Sequence, residues 1–291
     1  MSGASTATSG TGAPRDGAPD PGLRLRWLGH ATVVLDLGGT RLLTDPLLRP
    51  HAGLLRRHGD APRRADWTGA AAVLVSHLHH DHAEIGSLRL LGDVPVVTAP
   101  ANARWLAGHG VPGAVGLAES SDRAEGTEDA WWSVPGTEVR VRAVAAVHGH
   151  RPMPHRPNAA QGFLVVAPGV RVWFAGDTAP YPEMRHLPDL AGGPIDLALL
   201  PVGGWGPRLS GGHMDPVQAA EVCAVVGVRR AVPIHWGTLH APASRRLPPG
   251  WMDRAGPAFA AALGRLDAGD AVVLAPGEQV ALDGGRGGAG G

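Results

Sequence analysis

Between residues 23 and 275 the chain alternates short apolar runs with turn signals, the pattern of strands that bury one or both faces. "LRLRWL" (23–28), "TVVLDL" (32–37) and "RLLTD" (41–45) follow one another closely, the last two across Gly38-Gly39, and predict an antiparallel meander. Further strands are expected at 71–76, 94–99, 139–147, 162–167, 170–176, 195–202, 229–234 and 271–275, with helices near 83–91, 100–108, 215–226 and 257–266. Interleaved elements of both kinds predict a mixed α/β sandwich. Function in layered α/β folds collects at strand ends, and His77, His148, Asp177 and His235 each come just after one of these runs.

The flanks read differently. Residues 1–22 are small and polar, without the apolar core of a secretory signal or the arginine-rich amphipathic pattern of a transit peptide, and "GGRGGAGG" occupies 284–291. Both are expected to be disordered tails around one folded domain at 23–283. No eighteen apolar residues run together, so no membrane-spanning helix is expected.

Composition removes several kinds of chemistry. The chain has no lysine, so all 26 basic residues are arginine, which excludes a Schiff-base lysine and a lysine-bearing phosphate loop. Those arginines balance 26 acidic residues, leaving no net field to draw the chain onto nucleic acid. Cys223 is the single cysteine, read as a small buried helix residue; it fits a reducing, cytoplasmic setting. There is no Gly-x-Ser-x-Gly elbow, no cysteine beside a histidine and no Gly-x-Gly-x-x-Gly after a strand.

What the composition does offer is histidine, 15 of them, four within "VLVSHLHHDH" (73–82). Side chains two apart on an extended chain point the same way, so His77 and His79 can give two imidazoles to one metal ion. Asp81 and His82, where the chain turns towards a helix, can face a second ion beside the first. Nitrogen and carboxylate ligands with an open position for water suit hydrolytic zinc.

"SHLHHDH" resembles the metal signature of the metallo-β-lactamase superfamily, and four more segments agree in order: "WLGHATVVLDLGGTRLLTDPLL", "FAGDT", "GGHMDPVQAAEV" and "PIHWGT". They are similar to the branch that contains ascorbate-6-phosphate lactonase and the phospholipase D acting on N-acyl-phosphatidylethanolamine. The resemblance implies a four-layer αβ/βα sandwich of two pseudo-symmetric halves with a dinuclear site at the sheet edge. It makes His77, His79 and His148 the ligands of one ion, with His150 the alternative third. Asp81, His82 and His235 serve the other, and Asp177 bridges both. His80 falls at a variable position and is a non-ligand. Asp45 is either a residue that holds a ligand imidazole by its free N–H or an ordinary Asp-Pro turn residue. His30 is expected to pack beneath the site.

The resemblance implies two divalent ions, zinc or manganese, which would acidify a shared water and neutralise charge on a phosphoryl or carbonyl oxygen. A phosphodiester is the favoured small-molecule or lipid-like substrate, a lactone the alternative, and a mono-iron oxidoreductase or dioxygenase the reading of another class. No nucleic-acid partner is expected. Arg151, Arg156 and Arg208 are candidates for pairing with a substrate phosphate. Asp81 and His213 are the candidate catalytic residues. His213 precedes a helix whose start is explained by Asp215 as N-cap, Pro216 at the first position and Gln218 three residues on. It is therefore free to meet substrate or give a proton to the leaving group.

Overall fold

The structure, a computed structural model, describes residues 22–120, 130–149, 153–246 and 248–283. The first of two seven-stranded sheets runs, edge to edge, Gln279–Asp283, Gly22–Gly29, Thr32–Leu37, Thr40–Thr44, Ala72–Leu74, Val96–Thr98 and Ala114–Gly116. The second runs Asp270–Ala271, Arg230–Ile234, Leu197–Pro201, Val170–Phe174, Gln161–Ala167, Arg140–Ala145 and Trp132–Ser133. Each half opens with antiparallel pairs, such as Val34 opposite Leu43 and Phe163 opposite Phe174, and continues with parallel ones, such as Leu43 beside Val73 and Leu199 beside Val232. A small third sheet joins Leu239–His240, Leu55–Arg57 and His51–Ala52.

The inner strands of both sheets are buried on both faces, and their alternation distributes side chains between layers. Leu23, Leu25, Trp27, Val33 and Leu35 from the first sheet meet Phe163, Val165, Val172, Phe174, Leu197 and Val232 from the second in the central core. Their neighbours Leu28, Val34, Leu43, Val73 and Val75 pack outwards with Trp67, Leu88 and Leu106 of the helices Arg64–Trp67, Ile85–Arg89 and Pro100–Gly108. Leu164, Trp173, Ala198, Leu200 and Ala231 do the same with the helices Leu187–Ala191, Pro216–Val226 and Ala255–Leu266. The layers are helix, sheet, sheet, helix, the sandwich expected.

Several boundaries differ from expectation, each for a local reason. The helix expected near 83–91 is shortened to Ile85–Arg89 because the Glu84 carboxylate caps it, accepting from Gly86 N and Ser87 N. The strand expected at 271–275 pairs only at Asp270–Ala271; Leu274 instead drops into the central core, and Gln279–Asp283 adds the edge strand beside Gly22–Gly29. That pairing also puts Gly22, expected in the tail, within a strand. The expected tails, 1–21 and 284–291, lie outside the described residues, as do His150 and Arg151. Cys223 is fully buried in the helix Pro216–Val226, as expected. No helix among the described residues is long and apolar enough to cross a membrane.

Candidate metal centre

One edge of the sandwich collects the ends of strands from both sheets. His30 directly follows Gly22–Gly29, Asp45 follows Thr40–Thr44 and His235 follows Arg230–Ile234, while His77, His148 and Asp177 come three residues after Ala72–Leu74, Arg140–Ala145 and Val170–Phe174. The turn that carries His79, Asp81 and His82 is closed by His82 N and Ala83 N, both donating to the His79 carbonyl at 3.1 and 2.9 Å.

Ligand atoms converge in sets. Those of His77, His79 and His148 lie within 4.8 Å of one another, and so do those of His30, Asp81, His82 and His235. Asp177 stands between the sets: its Oδ2 is 3.2 Å from Nε2 of His82, His235 and His213, and 3.9 Å from Nε2 of His148. All seven expected ligands are therefore brought together, His148 among them; the alternative His150 lies outside the described residues. His80 falls outside these sets and lies with its ring 6.1 Å from that of His155.

The imidazoles are oriented from behind. His82 Nδ1 donates to Asp45 Oδ2 at 2.6 Å, His148 Nδ1 to the Gly212 carbonyl at 2.8 Å and His235 Nδ1 to the Gly203 carbonyl at 3.0 Å. Each bond puts a proton on Nδ1 and turns Nε2 towards the site. Asp45 is itself anchored, accepting from Ser76 N at 2.7 Å and Ser76 Oγ at 2.6 Å, so it holds the His82 imidazole and is no mere turn residue. His30 is closer to the chemistry than packing beneath it implies, with Nε2 3.0 Å from Asp81 Oδ2.

This arrangement has a consequence. His82 Nε2 faces His235 Nε2 at 3.0 Å, and His148 Nε2 faces His79 Nδ1 at 3.1 Å. Nitrogen lone pairs so close need a proton or a cation between them. Two more polar atoms, His77 Nε2 and Asp177 Oδ1, are buried without a hydrogen-bond partner, a cost that ligation removes. The residues fit a metal centre.

Electrostatics agree with that fit. Burial pushes the His148 imidazole down to about 4 and that of His30 to about 3, and drives His77 well below its ordinary value, so these rings are neutral. Against the upward push of burial, His235 and His82 hold Asp177 well below the usual carboxylate range, and His82, His235 and His30 do the same for Asp81. Despite its burial, His82 is raised well above the usual imidazole value by Asp177, Asp81 and Asp45.

His213 is half-buried, with Nε2 3.2 Å from Asp177 Oδ2 and Nδ1 donating to the Ser210 carbonyl at 3.1 Å. Asp177 raises its pKa in spite of burial, and it forms a further ligand-capable set with His148 and Asp177. The helix after it starts as expected, Asp215 Oδ1 accepting from Val217 N and Gln218 N while Gln218 Oε1 accepts from Asp215 N. Beside His213 opens a depression of about 780 Å³ lined by Trp205, Pro207, Arg208, Leu209 and Pro248. Arg208 thus borders the site. Arg156 Nη1 donates to the Leu78 and Ala83 carbonyls, while its Nε is buried without a hydrogen-bond partner. Sequence reasoning missed Ser76 and the Gly203 and Gly212 carbonyls; only the serine beside His77 offered a signal.

A helix-sheet-sheet-helix sandwich with histidines and aspartates at its strand ends defines a class of metal-dependent hydrolases, and residues 40–236 match the family described as "Beta-lactamase superfamily domain", so the chain belongs to the metallo-β-lactamase superfamily. Among its relatives, it is 30% identical over 234 residues to N-acyl-phosphatidylethanolamine-hydrolyzing phospholipase D 1 of Caenorhabditis elegans, a match covering 75% of this chain and 65% of that protein. It is 29% identical to a metal-dependent hydrolase of Symbiobacterium thermophilum, over 89% of this chain and all of the other. The solved structure of Igni18, a metallo hydrolase from Ignicoccus hospitalis, shares the fold with a TM-score of 0.64 at 18% identity, over 89% of this chain and 97% of the other.

Proposed function

We propose that the protein hydrolyses a phosphodiester with the help of two divalent cations, zinc or manganese. The observation that carries this reading is two pairs of facing imidazole nitrogens, His82 with His235 at 3.0 Å and His148 with His79 at 3.1 Å, with the Asp177 carboxylate near both. His77, His79 and His148 would hold one ion, Asp81, His82 and His235 the other, and Asp177 both. When bound, such a pair brings the pKa of a water close to neutrality and offsets the charge that grows on a phosphoryl oxygen.

The chain's own residues supply the rest. Asp81, kept ionised and steadied by His30, orients the attacking water. His213, whose Nε2 is held at 3.2 Å from Asp177 Oδ2, keeps a proton on that nitrogen and delivers it to the leaving oxygen. Trp205, Leu209 and Arg208 receive the remainder of the substrate in the adjoining depression. A phosphodiester is favoured because the Caenorhabditis elegans relative is by name a phospholipase D. A lactone is the competing substrate. Balanced charge and the absence of lysine disfavour a polynucleotide.

A panel of bis(p-nitrophenyl) phosphate, simple lactones, thioesters and a chromogenic β-lactam, run with added zinc or manganese, tests this. We expect chelator-sensitive turnover of the diester, and a loss of roughly 10² in His213→Ala on diesters with poor leaving groups, with much less on activated ones. Turnover of the β-lactam alone would contradict the substrate assignment.

A further inference from the structure

We infer that Arg156 is a positioning residue for the candidate metal centre, setting the width of the turn that carries four of its ligands. Arg156 lies in the segment leading from His148 to the strand Gln161–Ala167, yet its Nη1 reaches the turn itself, donating to the Leu78 carbonyl at 2.8 Å and the Ala83 carbonyl at 3.1 Å. Leu78 stands between His77 and His79, and Ala83 directly follows His82. One nitrogen therefore spans the turn from its first ligand pair to the end of its second.

The arginine is held for this task. Its guanidinium lies 4.9 Å from the centre of the Trp105 ring, and Trp105 Nε1 donates to the neighbouring His155 carbonyl at 3.1 Å. Asn102 Nδ2 ties the same segment down through the Ala159 carbonyl at 3.0 Å. The helix Pro100–Gly108 thus supports Arg156 from one side while Arg156 supports the ligand turn from the other. Leu78 and Ala83 are both buried, so no solvent stands ready to replace the lost donor. Partners one step removed from a metal's ligands are typically worth about 10–100-fold in metal affinity, and Arg156 is assigned an effect of that size.

This assignment rests on the metal-centre reading, and one titration separates the two. The metal-free wild-type chain, Arg156→Ala and Arg156→Lys are titrated with zinc against a chromophoric chelator, and thermal unfolding of the metal-free forms is recorded alongside. Arg156→Ala is expected to bind zinc about 10–100-fold more weakly, while its metal-free unfolding temperature falls by only a few degrees, the cost of two carbonyls left without a donor. Because both bonds come from a single nitrogen, the ammonium of Arg156→Lys can replace them, and most of the affinity should return. Wild-type affinity in Arg156→Ala would overturn the assignment and leave the metal reading intact. So would equal weakness in both variants together with a collapse of the metal-free unfolding temperature, which marks a packing role only. Failure of the wild type to bind zinc would overturn both.

Discussion

His30, Asp45 and His235 have φ of 53°, 31° and 64°, in the left-handed region that non-glycine residues rarely enter. Each is the first residue after a strand, and the reversal turns its side chain into the site instead of along the sheet. The cost, about 1–2 kcal/mol per residue, is offset by bonds that hold the turns: Thr238 Oγ1 accepts from His30 N at 2.8 Å, Thr32 Oγ1 donates to the Asp45 carbonyl at 2.8 Å, and His235 N donates to the His30 carbonyl at 2.8 Å. Strain of this kind, concentrated at a site, accompanies function more often than packing. The same crowding fixes a proton. Three carboxylates raise His82 well above the ordinary imidazole value, so in the metal-free protein at neutral pH its Nε2 carries a proton that a metal must displace. His148, lowered to about 4 by burial, has none to lose. Zinc binding at pH 7 should therefore release protons, read by calorimetry as a binding heat that varies with the ionisation enthalpy of the buffer. A heat independent of the buffer would contradict the protonation assigned to His82.

At the level of elements, ligand loops from the two sheets come into close contact at Gly176. Gly176, between Val170–Phe174 and Asp177, has φ of 63°, and a Cβ there would lie 2.7 Å from Ser76 Cβ and 3.0 Å from the Gln161 carbonyl oxygen. Ser76 in turn anchors Asp45 and touches His77 Nδ1 at 2.9 Å. Gly169 has a similar φ of 72° but open space around its missing Cβ. Gly176→Ala is therefore expected to destabilise the chain by about 1–3 kcal/mol more than Gly169→Ala in urea unfolding, since only the first overpacks a contact between the halves. Equal costs would mean that the halves yield freely at this point. The reach of sequence reasoning follows from the same geometry. Strands such as 32–37 and 170–174 were legible because burial on both faces demands continuous apolar runs, and Asp215 with Gln218 announced a helix start through local bonds. Pairs such as His51–Ala52 were not, because two residues held by partners far along the chain leave no periodicity. Nor was Arg156, whose partners lie 73 and 78 positions away.

As a whole molecule, the site exists only where the two halves meet. The first half brings His77, His79, Asp81 and His82, the second His148, Asp177 and His235, and the Asp177 carboxylate touches imidazoles from both. Ligation as proposed would tie the sandwich together. The fold was readable at this scale because the central core needs alternating apolar residues from both sheets, whereas the substrate was not, since one set of ligand positions serves many leaving groups. The central claim is that two ions are held in common by Asp177. Elemental analysis of protein purified without chelator, for the wild type and Asp177→Ala, tests it most directly. We expect close to two divalent ions per chain in the wild type, and at least one fewer in Asp177→Ala with the fold retained. A wild type carrying a single iron, or an Asp177→Ala variant that keeps both ions, would contradict it.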